Sequence, residues 1–182
     1  VGLVDGNYGN STSTTGAFTM NTSYTNSGGW NNSHMRKTVL GSNSTSATSP
    51  AANTLLAALP ADLRAVMKPA TKYSDNTGGG SDTASYVTST TDLLPLLSEF
   101  EYHGARTYAN SAEKNYQAQY DYYRAGNSKV HYRHNATGTA AGVWCRSVNS
   151  SYGYTFCLVN AGGSATIDTA YDSWALAPCF FV

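Results

Sequence analysis

Glu99 and Glu101 are the first residues whose types and spacing suggest chemistry. On a strand, positions two apart share a face, and two carboxylates on one face can divide acid and base work. Glycosidase carboxylates, however, face each other across a cleft from different elements, and a pair flanking Phe100 fits an alternation of surface and core better. The histidine candidates are His103, His131 and His134, with Asp121 as an acidic partner. His131 and His134 lie three apart in an expected strand, so they point to opposite faces and no joint metal site is expected. Cys145, Cys157 and Cys179 form an odd set without CxxC spacing, which argues against zinc and against a disulfide framework. Free thiols are expected, with room for one bridge. No neighbouring base or helix N-terminus accompanies them, so a thiol nucleophile is not supported and small core residues are expected instead. Gly78-Gly79-Gly80 lacks a following Lys-Ser/Thr and reads as an ordinary flexible turn, not a phosphate loop.

The stretch from Asn149 to Trp174 is different, because it interleaves Tyr, Ser, Asn, Thr, Asp and Gly with hydrophobic positions. Tyr and Trp give large contact area at small entropic cost, and short polar residues adapt their hydrogen bonds. Composition of this kind suits a recognition surface. It suits a plain polar loop as well.

The elements that must position these residues are short. Residues 1–29 are a Gly/Asn/Ser/Thr-rich entry with sparse anchors at Leu3, Val4, Phe18, Met20 and Tyr24. Ser49 and Pro50 look like the start of a helix running to Leu59, which Pro60 restarts with Leu63, Val66 and Met67 at helical spacing. Ala84 to Thr91 alternates around Tyr86 and Val87 and Leu93 to His103 is a mostly apolar run ending near Gly104, so a strand pair, or a strand and turn, is expected here. Lys129 to His134 alternates likewise. Three more strands are expected at Val143–Val148, Tyr154–Asn160 and Leu176–Val182, separated by polar loops. No internal repeat or linker divides the chain, so residues 1–182 read as a single domain.

Bulk properties exclude several classes. Lys+Arg and Asp+Glu are both 11, and only 12% of residues are charged, so no long-range field steers nucleic acid or anionic lipid. With 41% hydrophobic residues and 14 Tyr, 3 Trp and 5 Phe, the chain is expected to fold, without help from a metal. The longest apolar run is a few residues, as in Leu93 to Leu97, too short to span a bilayer. The start at Val1 without methionine suggests a fragment, with any targeting segment upstream.

Several blocks carry a family likeness: Val143-Trp-Cys-Arg-Ser147, Phe156-Cys-Leu-Val-Asn160, Ala161-Gly-Gly163 and Ala175-Leu-Ala-Pro-Cys-Phe-Phe-Val182. Their succession resembles the C-terminal repeat of variable proteins diversified by retroelements in phages and bacteria. Gly29-Trp30 with Met35-Arg36, Leu56-Ala-Ala-Leu-Pro60 and Leu96-Leu-Ser-Glu-Phe-Glu101 extend the likeness upstream to a domain common in gut-phage proteins. The resemblance implies an α+β, C-type-lectin-like fold with Trp144, Arg146, Phe156 and Ala177-Pro178 as framework and a variable region at 143–182. It implies ligand binding at Asn149, Ser151, Tyr152, Tyr154, Asn160, Thr166, Asp168, Tyr171, Asp172 and Trp174. With Ile167, all but Trp174 are residues that miscopied adenines can write over Asn codons.

The same likeness implies receptor binding, to a protein or glycan on a cell surface, from a phage tail tip or a bacterial surface. No catalysis and no cofactor are expected, and a homo-oligomer is left open. A fixed structural domain of a tail or surface protein is the first alternative, and a formylglycine-generating type of oxidase, which needs a placed pair of reactive cysteines, the weaker one. Calcium-and-sugar motifs of the Glu-Pro-Asn, Gln-Pro-Asp and Trp-Asn-Asp types are absent from the chain. Chelator is therefore expected to leave the thermal melting curve unchanged, and a calcium-dependent shift in that curve would overturn the metal-free assignment.

Overall fold

The structure, a computed structural model, describes residues 18–133 and 136–182. The expectations for Leu3, Val4 and His134 fall outside those residues. The described chain is α+β, with short helices and small antiparallel sheets.

At the centre lies a three-stranded sheet of β5 (Val143–Val148), β6 (Thr155–Val159) and β7 (Ala165–Thr169), with β6 in the middle. Every residue of β5 and β6 is buried, because both faces of the sheet are covered. Trp144, Val148, Phe156 and Leu158 point into one apolar cluster with Met20, Trp30, Met35, Leu56 and Leu94. Val143, Cys145, Cys157 and Val159 point into the other, with Leu97, Phe100, Tyr102 and Ala109. Two covered faces explain why these strands read as near-continuous apolar runs instead of alternating ones. Between Trp144 and Val148 the register with β6 slips, so Cys145, Arg146 and Ser147 lie in a bulge.

Around this sheet are two further pairs, β1 (Ala70–Asp75) with β2 (Val87–Asp92), and β3 (His131–Arg133) with β4 (Ala136–Ala141). The helices are α1 (Gly29–Asn32), α2 (Leu55–Ala58), α3 (Ala61–Val66), α4 (Glu99–His103) and α5 (Asp121–Arg124), with a π-helical turn at Met35–Val39. None approaches the ~12–15 residues that an isolated helix needs, so packing must hold them.

Several expectations need correcting. Glu99 and Glu101 stand on helix α4, not on a strand. The Ser98 hydroxyl accepts from the Glu101 amide while the Glu101 carboxylate accepts from the Ser98 amide, and this reciprocal cap outweighs the apolar run before it. Helix α2 starts at Leu55 with Thr54 as its cap, not at Ser49 and Pro50. Ala84–Tyr86 is a 3₁₀ turn, so strand β2 begins only at Val87. Leu176–Val182 forms no strand, although Ala175 bridges Val143 and Phe181 bridges Lys68. The third strand of the sheet is Ala165–Thr169, within what reads as loop in the sequence. Asp168 and the preceding Gly162-Gly163-Ser164 signal a turn locally, but pairing with buried β6 decides the matter.

Trp144 and Phe156 are buried as expected, edge to face with centroids 6.5 Å apart, and the Trp144 indole N–H donates to the Phe18 carbonyl at 2.7 Å. Trp144→Ala should cost about 3–5 kcal/mol through the cavity it leaves, read as a lower Tm. An unchanged Tm would contradict this packing.

Candidate functional site

The residues with the strongest chemistry in the sequence are inside the molecule, engaged with one another. Arg146 is fully buried at the β5 bulge. Its guanidinium donates to the Leu96 carbonyl at 2.8 Å, the Ser74 hydroxyl at 3.0 Å, the Tyr73 carbonyl and the Glu101 carboxylate. Glu101 also pairs with Lys72 at 2.9 Å. Burial pushes the Glu101 carboxyl up, but Arg146 and Lys72 together outweigh it and hold it at about 2. Glu99 accepts from the amides of Thr107, Tyr108 and Ala109 at 2.8–3.1 Å, which anchors the chain after α4. Glu113 is buried against Ser147 and the Asp75 amide, and burial raises it to about 7. The thiols of Cys145 and Cys157 are buried and free, with burial pushing both far up, while burial lifts Cys179 to about 11. Such thiols are the reverse of an activated nucleophile. Among the described residues, no three His, Cys, Asp or Glu side chains gather as a metal site.

The surface candidates divide. Tyr152 is 51% and Tyr154 38% exposed, with ring centroids 5.8 Å apart. Tyr154 stacks on Tyr24 at 5.2 Å, and Tyr24 is itself 63% exposed. Three tyrosines thus form one exposed aromatic patch at the start of β6. Ser151 is exposed in the same turn. The Ala170 amide donates to the Tyr154 carbonyl at 2.8 Å, which brings the turn of exposed Tyr171 and Asp172 beside the same strand end. Asp168 lies opposite Phe156, and its carboxylate accepts from the Trp174 indole N–H at 2.9 Å. Burial, with Asp172 close by, raises the Asp168 carboxyl. Trp174 is half-buried against the first cluster.

Three candidates do not join this surface. Asn149 is 2% exposed, its side-chain oxygen accepting from the Ser151 amide, so it shapes the turn from inside. Asn160 caps the β6–β7 turn, accepting from Gly162 and Ser164, six residues and roughly 20 Å along the strand from Tyr154. Thr166, opposite Leu158, is half-buried midway along the sheet.

Two contributors carry no signal in the sequence. Tyr24 joins the patch only because residues 21 and 26 are tied to Ala170 and Gly153 by backbone hydrogen bonds. Asn26, fully buried, donates to the carbonyls of Tyr152 and Thr155 and accepts from Gly79. The triglycine is no ordinary turn: at Gly80, φ 73°, a Cβ would stand 2.8 Å from the Gly153 nitrogen. Its missing side chains let this loop lie against the tyrosine turn and hold it.

The carboxylates titrate in opposite senses. Glu101, held low, contributes stability above its unfolded value that is lost as pH falls towards 2; Glu113, held high, costs stability as pH rises from about 4.5 through 7. Glu113→Gln should therefore gain in Tm on wild type as pH rises from 5 to about 7 and keep that gain above it, and parallel pH profiles would refute the raised Glu113.

No curated protein and no solved structure matches the chain. A family model matches residues 11–182, nearly all of it and the whole of the surface and frame just described. The chain belongs to the family described as a domain of unknown function, DUF6273.

Proposed function

We propose that the protein is a binding module of C-type-lectin-like architecture, of the kind diversified by retroelements, and that it contacts a protein or glycan receptor at a phage tail tip or bacterial surface. The observation that carries this reading is the exposed stack of Tyr24, Tyr154 and Tyr152 on a turn braced from within by Asn26 and Asn149. A rigid turn presenting exposed aromatics loses little entropy on binding, and exposed rings gain most from a partner. Ser151, Tyr171 and Asp172 border the patch and supply adaptable polar contacts. Burial holds the Cys145 and Cys157 thiols in their protonated form, which favours binding over an oxidase that needs reactive cysteines.

A fixed structural domain is the second reading, favoured by Asn149 and the Asp168–Trp174 bond, which spend candidate positions on the frame. DNA flanking the gene separates the two. A diversified module requires a near-identical, adenine-rich copy of the segment for 143–182 and a reverse transcriptase nearby, and a fixed domain requires neither. On a cell-surface binding assay, Tyr152→Ala and Tyr154→Ala should each weaken binding by about 2 kcal/mol or more while stability stays within about 0.5 kcal/mol. Variants that bind as wild type would remove the patch from the site.

A further inference from the structure

On the other side of the central sheet, a cavity of about 510 Å³ opens between α4, α5 and the chain entering β3. That volume suits a molecule of one or two rings. Its walls are Tyr102, Tyr120, Tyr122 and Tyr123, floored by Leu97 and Ala177. Tyr102 and Tyr123 pack with centroids 5.0 Å apart, Tyr122 meets Tyr123 edge-on at 5.2 Å, and His131 meets Tyr102 edge-on at 5.6 Å. The walls are therefore π surfaces set at angles to one another. They fit a flat ring better than an alkyl chain.

One end of the cavity is polar and positive. The His131 Nε2 is buried and has no hydrogen-bond partner among the described residues. Burial lowers the His131 pKa, so the imidazole is neutral at pH 7 and can present an N–H there. Lys129, outside the lining itself but flanked in sequence by Ser128 and Val130 within it, holds its ammonium 5.9 Å from the ring of Tyr123. No carboxylate pairs with Lys129 among the described residues, and none lines the cavity. A tyrosine cage could otherwise take a quaternary ammonium, but an unneutralised lysine at its edge repels cations.

We propose that this cavity binds a small aromatic carboxylate, its ring against Tyr120, Tyr122 and Tyr123 and its carboxylate at Lys129 and His131. The site is separate from the Tyr24, Tyr152 and Tyr154 patch, for none of those three lines the cavity. A buried imidazole N–H without a partner is costly, and a carboxylate oxygen would satisfy it.

The test is calorimetric titration of the whole chain with sodium benzoate, benzyl alcohol and phenyltrimethylammonium. Benzoate should bind saturably at one site, about tenfold or more tighter than benzyl alcohol, with the cation weakest. Lys129→Met should erase the preference for benzoate over benzyl alcohol at unchanged Tm, while Tyr152→Ala should leave benzoate binding intact. His131→Gln, which restores a donor, should retain more benzoate affinity than His131→Leu. No saturable benzoate binding up to about 20 mM, or tighter binding of the cation, would overturn the assignment, as would a benzoate preference that survives in Lys129→Met.

Discussion

The buried ion pair of Arg146 with Glu101 is the contact on which the other parts of the molecule converge. Its guanidinium reaches β1 through Ser74 and Tyr73, the segment before α4 through Leu96, and α4 through Glu101. Lys72 then closes the group from β1. A charge this deep is tolerable only with its hydrogen bonds made, so the three elements cannot drift apart without stranding it. The β5 bulge is what frees Arg146 from the regular ladder and lets its side chain serve all of them. A second polar knot repeats the logic at the end of β2. There Asp92 gathers Arg36, Ser42 and the indole N–H of Trp30.

Such knots suit a domain whose helices are a turn or two long. With little helical hydrogen bonding to rely on, specificity of packing falls to buried side-chain bonds that have one satisfying arrangement. The same economy governs the tyrosine turn. Asn26 donates to the carbonyls of Tyr152 and Thr155 from behind while the triglycine loop holds Asn26 and packs closely on Gly153, leaving Tyr152 and Tyr154 to face outward. Two different surfaces result, an exposed aromatic patch at the start of β6 and a tyrosine-walled cavity beside the second cluster.

How much was legible in the sequence depended on the range of the forces involved. The low charge, the aromatic load, the buried Trp144 and Phe156, the strands at 143–148 and 155–159 and the unbridged thiols all rest on composition and local pattern. The exposure of Tyr152, Tyr154, Tyr171 and Asp172 was equally readable, because these residues sit in turns between apolar runs.

Tertiary structure alone decided the rest, since it turned on partners far away in the chain. Glu99 and Glu101 read as surface-and-core alternation on a strand until Arg146, 45 residues beyond Glu101, claims one of them and the amides after α4 claim the other. Ala165–Thr169 reads as loop until it completes the ladder beside β6. Asn149 looks like a contact residue and is buried, while Tyr24, distant in sequence, lies on Tyr154. Local pattern reports which side chains prefer water, but it cannot report which buried donor will meet which acceptor. That pairing, made only when the chain closes on itself, sets the frame and the place of each exposed ring.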